Sequence, residues 1–528
     1  MGSVVFRWQK VGAEMLALEH YDVAKNVHVY RQGGLNIAYD VNSGSLHVLD
    51  DLSALVLEGV RQWSAAAGVE TAASGFQQHH PAGNWLDHVR AYVSRALAGI
   101  AGQDLDLPAE LDEELDEVLN ELADLQRQGT LFSPEVEEVG PAYPSPPLIK
   151  AICLHVAHDC NLRCEYCFAG AGAFGGSRGL MDAATGKKAI DFLLYASRHR
   201  QECEVDFFGG EPLLNFAVVR ELVRYGKEAA AAVGKRIKFT LTTNALLLDS
   251  QVQEFLARED ISVVLSLDGR PEVHDRMRPY VDGSGSYAEA AARVQEFVAR
   301  RPEGSPYAVG TYYYVRGTYT HFNLDFDRDV LHLADLGIKR ISLEPVVAGP
   351  EDAYAFRGSD LAGIHAAYDR LGEELLSRRT ADPNLSFFHF NVALDQGPCL
   401  PKRLSGCGAG HEYVAISPEG DIYPCHQFVG RLEYKMGSLH GPESELLNPR
   451  LVEAFREAHV FNKPACRKCW ARFACSGGCH AANTAFTGTL TEVYELGCEL
   501  QRKRLEVALY LKVREAQRAQ SPAGQPQD

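Results

Sequence analysis

Three closely spaced cysteines are the residues most clearly placed for chemistry. Cys160, Cys164 and Cys167 lie in the segment HDCNLRCEYCFAG, directly after an apolar run from 148 to 156. An iron-sulfur cluster is usually held by four thiolates, so three would leave one iron open to another ligand. A metal with an open position is usually catalytic. The triplet predicts such a cluster; the alternatives are a zinc or ferredoxin-like site completed by a distant ligand, or three unrelated cysteines.

Size, charge and cysteine content limit the class of function. With 528 residues the chain is long enough for about three domains of roughly 150 residues. A net charge of -18 argues against a nucleic-acid partner, because phosphate binding needs basic surface. No apolar run reaches about 20 residues and the N-terminus lacks a signal-peptide pattern, so we expect a cytoplasmic protein with no membrane partner. In that reducing compartment, 13 cysteines indicate metal binding rather than disulfides.

The elements that would position the triplet form an alternating strand and helix pattern from 148 to about 390. Strands with helices between them imply parallel pairing with crossover helices. This predicts an α/β core over 148–385, a partial (β/α) barrel of about six strands. The barrel's chemistry should gather where its strands end. The predicted strands are LIKAICLHV, EVDFF, IKFTLTT, ISVVLSL, PYAVGTYYYV and RISLEPVV.

Polar residues follow several of these strands. The first group is Gly209-Gly210-Glu211-Pro212, in which the glycines permit close backbone approach and Pro212 fixes the turn. Ordinary strand-to-helix turns are the alternative. Because strand ends meet at one rim, these residues predict a ligand site beside the triplet. The later groups are Thr243-Asn244, Ser266 with Asp268, and Glu344-Pro345.

The last part of the chain is rich in cysteine and predicts a metal-binding domain over 386–510. Gly420 lies five residues before Cys425, as a turn that brings distant ligands together would require. Metal ligation can stabilise such a domain without a large apolar core. Structural zinc sites are the alternative. The cysteines are Cys399, Cys407, Cys425, Cys466, Cys469, Cys475, Cys479 and Cys498.

The two ends of the chain lie outside these domains. Residues 1–24 show no clear period, and we expect them to be flexible. We expect residues 511–528 to be a disordered tail.

Residues 25–140 predict a small α+β domain with an insertion near 65–103. A peptide could add a strand to such a domain. A capping or oligomerisation role is the alternative.

The triplet followed by Gly-Gly-Glu-Pro resembles the radical S-adenosylmethionine (SAM) enzymes. The resemblance implies a [4Fe-4S] cluster on the triplet whose open iron binds SAM, and a 5'-deoxyadenosyl radical that removes hydrogen from carbon. It implies that Tyr166 and Phe168 flank the adenine. It also implies a set of residues that hold the amino, carboxylate and ribose groups of SAM: Gly209, Gly210, Glu211, Pro212, Asn244, Ser266, Asp268 and Arg278.

The distal cysteines resemble the SPASM domain, which holds two auxiliary [4Fe-4S] clusters. That resemblance implies three clusters in all. Cys399 is the uncertain ligand: without it, an open iron could bind a substrate thiolate. The ligands implied for the first auxiliary cluster are Cys407, Cys425 and Cys479 with Cys399, and for the second Cys466, Cys469, Cys475 and Cys498.

Longer phrases resemble the maturases of small six-cysteine peptides (SCIFF maturases). They include DVNSGSLHVLDD, GCGAGHEYVAISPEGDIYPCHQFVG and CWARFACSGGCH, and the similarity spans about 26–510. It implies thioether crosslinking of a cysteine-rich precursor peptide, a winged-helix-like domain that binds its leader, and an electron donor such as flavodoxin or ferredoxin.

One position separates this chain from sulfatase-maturing relatives. Those relatives carry an aspartate that acts as the base at the position where this chain has His426. His426 is a candidate catalytic proton acceptor, with a structural histidine as the alternative. The functional alternatives are another SPASM modification, such as residue oxidation or carbon-carbon crosslinking, and a non-enzymatic iron-sulfur electron-transfer protein.

Overall fold

The computed structural model describes residues 18, 21–66, 85–101, 109–301, 312–392, 394, 400–442 and 446–520. Along the chain they form an α+β region, an α/β core and a cysteine-rich region. Within these ranges, none of the helices combines the length and apolar character that a membrane span requires.

The N-terminal region is a three-stranded antiparallel sheet covered by helices. Gly33 and Gly34 have φ of 54° and 78°, and form the two-residue hairpin between the first strands. The strands are β1 (Val27–Gln32), β2 (Leu35–Asp40) and β3 (Leu46–Leu49), in the order β1-β2-β3. The helices are α1 (Val23–Asn26), α2 (Asp51–Ala66), α3 (Trp85–Ala101) and α4 (Ala109–Arg127).

Two sequence predictions for this region agree with the structure only in part. Of the segment expected to be flexible, most lies outside the described residues, but Leu18 and Val23 are buried in the domain core. The expected insertion contains α3, whose Val89 and Val93 are buried in that same core. Where they are described, these segments therefore pack as part of the domain.

The core contains all six predicted strands, and the α/β partial barrel is confirmed. The strands pair in parallel, in the order β4-β6-β7-β8-β9-β10. They are β4 (Ala151–His158), β6 (Glu202–Gly209), β7 (Arg236–Thr243), β8 (Ile261–Ser266), β9 (Tyr313–Tyr319) and β10 (Arg340–Pro345). Two short strands flank them: β5 (Gly179–Leu180) pairs with β4 and β11 (Ser386–Phe387) with β10.

Helices cover the outside of the core sheet. Val205 and Phe207 on β6 are fully buried in the main core, whereas the alternate residues Asp206 and Phe208 face a cavity. This alternation follows from the two-residue period of a strand. The helices are α5 (Ala183–Ala196), α6 (Phe216–Ala232), α7 (Ser250–Arg258), α8 (Pro271–Met277), α9 (Tyr287–Ala299), α10 (Phe326–Asp335) and α11 (Leu361–Ala381).

The cysteine-rich region continues the core sheet. Its strand β12 (Tyr413–Ile416) pairs in parallel with β4, and β13 (Asp421–Tyr423) and β14 (Gly437–Ser438) extend the sheet beyond it. This pairing brings the auxiliary cysteines beside the barrel. The short helices are α12 (Leu400–Ser405), α13 (Pro449–Glu457), α14 (Pro464–Arg467), α15 (Arg472–Cys475) and α16 (His480–Thr487).

The prediction of a disordered tail from 511 is wrong as far as Gln520. Helix α17 (Glu495–Gln520) continues through this segment, and Leu511 and Val513 are buried in the main core. The polar residues near its end are exposed. Their composition therefore indicated disorder where the structure has the outer face of a packed helix. Residues 521–528 lie outside the described ranges.

Candidate radical and auxiliary cluster sites

A cavity of about 330 Å³ lies within the barrel and opens at its carboxyl rim. This volume lies within the range of ligand pockets, roughly 300–1,000 Å³. The structure brings most of the predicted site residues together on its walls. They are Cys160, Cys164, Tyr166, Cys167, Phe168, Gly209, Gly210, Asn244, Ser266, Arg278 and His426.

The cysteine triplet has the environment that a cluster requires. The Leu162 amide N–H lies 3.4 Å from the Cys160 sulfur. Burial raises the pKa of the Cys160 thiol to about 11 and that of Cys164 to about 12. Thiolates buried in this way need a bound cation, and a metal cluster supplies that charge. The donor set and the adjoining cavity therefore fit a [4Fe-4S] cluster with SAM on its open iron.

Glycine is required beside the triplet for steric reasons. A Cβ on Gly209, whose φ is 134°, would lie 2.2 Å from the Ala157 carbonyl oxygen. A Cβ on Gly210 would lie 2.1 Å from the Asp159 carbonyl oxygen. The backbone at these two positions thus packs directly against the strand and loop that carry Cys160.

Glu211 lies behind the cavity wall. Its carboxylate accepts hydrogen bonds from the Thr243 hydroxyl at 2.9 Å and the Asn244 amide at 2.8 Å. Burial nevertheless raises its pKa to about 7. Glu211 therefore ties the ends of β6 and β7 together and positions Asn244. Pro212 begins the short helix Pro212–Asn215 and also lies outside the cavity lining. Direct contact of either with SAM stays a prediction.

Asp268 is likewise engaged by the protein. Its carboxylate accepts hydrogen bonds from the Tyr166 hydroxyl at 2.6 Å and the Thr318 amide at 3.0 Å. The Arg278 guanidinium lies 3.0 Å from the same carboxylate. Asp268 is fully buried, and it holds Tyr166 and Arg278 in place on the cavity wall.

His426 forms part of an aromatic wall of the cavity, together with Phe168 and Phe208. Its ring lies 5.0 Å from that of Phe208 and 5.6 Å from that of Phe168, between centroids. The Tyr413 hydroxyl lies 3.4 Å from His426 Nδ1. Burial lowers the pKa of His426 to about 4, so the imidazole is neutral at neutral pH.

The cavity residues that lie within the strands, before the strand ends, were not predicted from the sequence, because only residues at strand ends were considered. The two-residue period could have found it: counting back from Gly210 gives Phe208 and Asp206 on the same face. Glu344, noted only as a strand end, also lines it. The missed residues are Cys153, Asp206, Phe208, Thr240, Thr242, Val264, Tyr314, Arg316 and Tyr413.

The distal cysteines form two groups. The domain-side set lines a small cavity of about 30 Å³ and matches the set implied for one auxiliary cluster. It comprises Cys466, Cys469, Cys475 and Cys498. The other set, the cavity-side set, comprises Cys407, Cys425 and Cys479. Burial is the largest cause that raises the pKa of Cys425, and Cys479 and Cys407 raise it further. Cys399, the implied fourth ligand, lies outside the described residues.

Lys463 lies between the two cysteine sets. It is fully buried and its ammonium donates to the Gly477 carbonyl at 2.8 Å. Burial lowers the pKa of Lys463, whereas nearby cysteines of both sets, among them Cys466 and Cys479, act to raise it. A buried positive charge thus lies close to both groups of thiols.

The N-terminal domain docks onto the loop of the domain-side set. Arg472 donates to the Lys25 carbonyl at 2.9 Å and to the Asn26 side chain at 2.7 Å. The rings of His28 and Trp470 stack with centroids 3.9 Å apart. The N-terminal domain therefore contacts Trp470, which directly follows Cys469, and Arg472, three residues before Cys475.

Sequence comparisons agree with these two sites. Residues 151–290 match the family described as a 4Fe-4S single cluster domain, and 407–470 match SPASM, an iron-sulfur cluster-binding domain. The mycofactocin maturase MftC of Mycobacterium ulcerans is 31% identical over 347 residues, covering 64% of this chain and 85% of that protein. This chain belongs to the radical SAM/SPASM family of peptide-modifying enzymes.

Other proteins are similar at lower identity or coverage. The cysteine-type anaerobic sulfatase-maturating enzyme of Clostridium novyi is 23% identical, over 61% of this chain and 85% of that protein. An uncharacterised protein of Methanocaldococcus jannaschii is 30% identical, but the match spans only 62% of its length. The solved structure of anSMEcpe with bound AdoMet has a TM-score of 0.58 at 19% identity, covering 71% of this chain and 96% of that one. That likeness supports the fold.

Proposed function

We propose that this radical SAM/SPASM enzyme forms thioether crosslinks in a ribosomally made, cysteine-rich peptide. The observation that carries the proposal is one continuous cavity between the triplet and His426, which directly follows Cys425 of the cavity-side set. A substrate thiol in this cavity would lie between the site of hydrogen abstraction and an auxiliary cluster. Three [4Fe-4S] clusters are proposed.

The residues around the cavity have distinct tasks in this proposal. When bound, the reduced cluster and SAM supply the radical that removes one hydrogen atom from a substrate carbon. Tyr166 and Arg278, held by Asp268, orient SAM, and Asn244 is held for the same task by Glu211. The aromatic wall of Phe168, Phe208 and His426 shields the reacting carbon from water.

The proposed partner of the N-terminal domain is the leader of the peptide. Among the described strands, β3 pairs with β2 alone, and Val48 on it is 47% exposed. Such an edge can accept a further strand by backbone pairing. An electron donor such as flavodoxin or ferredoxin is the proposed second partner. A synthetic leader without the modified region should then inhibit modification competitively.

Two other activities stay open as alternatives. Residue oxidation would change a single residue and leave no link between residues, and carbon-carbon crosslinking would leave every cysteine thiol free. The cavity itself favours neither. An electron-transfer protein would not cleave SAM, and the polar groups gathered at the rim argue for the enzyme.

Reconstitution without oxygen tests the proposal. With iron, sulfide, SAM and reductant, the enzyme should hold about twelve irons if three [4Fe-4S] clusters form, release 5'-deoxyadenosine, and remove two hydrogens from the peptide per crosslink. Cys164→Ala should abolish SAM cleavage. Cys203→Ala is the matched control, because Cys203 is buried on β6 away from the cavity. Zinc in place of iron, or cleavage by Cys164→Ala at the normal rate, would contradict the proposal.

A further inference from the structure

Asp206 is a carboxylic acid on the inner face of the barrel, three residues before β6 ends at Gly209. On β6 it lies between Cys153 of β4 and Thr240 of β7, which are its neighbours across the sheet. All three line the cavity. Asp206 is half-buried because part of its surface faces the cavity, and its strand neighbours Val205 and Phe207 point into the core.

The groups around Asp206 supply few charges. The Thr240 hydroxyl hydrogen bonds with it, and Glu204 lies on the same strand. Cys153, Tyr314 and Tyr413 face it from β4, β9 and β12, and burial raises the pKa of each, so all three are neutral at neutral pH.

Two charged groups lie elsewhere on the cavity wall. Burial acts to raise the pKa of Glu344. His389, which lies 2.8 Å from its carboxylate, and then Arg316 lower that pKa by more, so Glu344 is ionised. Burial, then Glu204, raises the pKa of Asp206 to about 7, close to the value that suits a general base at neutral pH.

We propose that Asp206 is the proton acceptor for the substrate cysteine thiol. This inference rests on the proposed thioether chemistry. The S–H bond breaks and its proton goes to the Asp206 carboxylate, while the acceptor C–H bond breaks and its hydrogen atom leaves in 5'-deoxyadenosine. The sulfur–carbon bond then forms, and a cluster held by Cys407, Cys425 and Cys479 would take up the surplus electron. A flavodoxin-type reductant supplies the electron for SAM cleavage.

The pH dependence of crosslinking tests this role. For wild-type enzyme and a synthetic cysteine-rich peptide with its leader, crosslinking should rise with pH and level off above about 7 as Asp206 ionises. Asp206→Asn should lower crosslinking at pH 7 about 100-fold, with SAM cleavage within about twofold of wild type. Its activity should recover towards pH 9, because the thiol, with an ordinary pKa of about 8.5, then ionises unaided.

The matched variant is Glu204→Gln, on the same strand but exposed: it should keep crosslinking at pH 7 and move the rise of the profile to lower pH, because Glu204 raises the pKa of Asp206. Iron content and thermal stability show whether each variant is folded. A loss in Asp206→Asn that is equal at pH 7 and pH 9, or no loss, would overturn the role. A wild-type rate that is flat from pH 6 to 8 would overturn it without any variant. Absence of crosslinks in wild-type product would instead count against the proposed function.

Discussion

The two sets of auxiliary cysteines have different neighbours. In the cavity-side set, Cys425 is followed by His426, which lines the large cavity. In the domain-side set, Cys469 is followed by Trp470, which stacks on His28 of the N-terminal domain. Under the proposed function, one cysteine-rich region would therefore serve two ends of a peptide. One set adjoins the chemistry and the other adjoins the domain proposed to hold the leader.

The largest effect is expected when one cysteine of each set is replaced in turn, because the two sets are proposed to have different roles. Cys425→Ala should lower the ratio of crosslinked peptide to 5'-deoxyadenosine by about 100-fold, because the acceptor for the surplus electron beside the cavity is lost. Cys469→Ala should lower that ratio less than tenfold, although iron content and thermal stability fall. The ratio is measured by mass spectrometry of both products. Equal losses would break the comparison.

The docking of the N-terminal domain should have the next largest effect. Arg472→Met removes buried, charged hydrogen bonds to Lys25 and Asn26 and should reduce the free energy of unfolding by about 2–3 kcal/mol. The KM for the peptide should rise about tenfold, because a loosened domain lowers the effective concentration of the bound peptide.

Arg467 gives the matched control for Arg472. Its pairing with Glu138 also joins the two regions, but the arginine side chain is 52% exposed. Arg467→Met should therefore cost less than about 1 kcal/mol, with little change in KM. Denaturant unfolding and peptide kinetics measure both variants. Indistinguishable behaviour would show that the buried contacts do not position the domain.

The charge between the two sets should have the smallest effect. Lys463→Met removes a buried ammonium near both sets of thiols and should lower the midpoint potentials of the auxiliary clusters by about 60 mV, equivalent to tenfold in a one-electron equilibrium. The exposed Lys468→Met is the control. A redox titration followed by electron paramagnetic resonance measures this change. If the potentials stay unchanged, Lys463 has only a structural role.

Much of the radical site was predictable, because its residues are adjacent to strong local patterns. Each strand end that supplied Gly209, Asn244 or Ser266 follows an apolar strand that the sequence marks clearly. The two groups of distal cysteines were also anticipated, although from resemblance rather than from spacing. Gly209, Asn244 and Ser266 lie on the wall of one cavity, and their contact with SAM stays a prediction.

The remaining features depend on contacts between distant parts of the chain. The pairing of β12 with β4 joins Tyr413 to Ala151, and a four-residue strand gives no local sign of its partner. The inward direction of Asp206 follows instead from the strand period counted back from Gly210, and it was missed because only strand ends were considered. The buried position of Lys463 depends on several loops meeting, and nothing in its neighbouring residues indicates it.

Isotope transfer tests the central claim most directly. The precursor peptide would carry deuterium on the carbons of all residues except cysteine, and be incubated with reconstituted enzyme, SAM and reductant. We predict that each crosslink removes one deuterium and one thiol hydrogen, that the deuterium appears in 5'-deoxyadenosine, and that tandem mass spectrometry finds a cysteine sulfur bonded to the carbon that lost it. Unlabelled 5'-deoxyadenosine, or product in which every cysteine thiol is still free, would contradict the account.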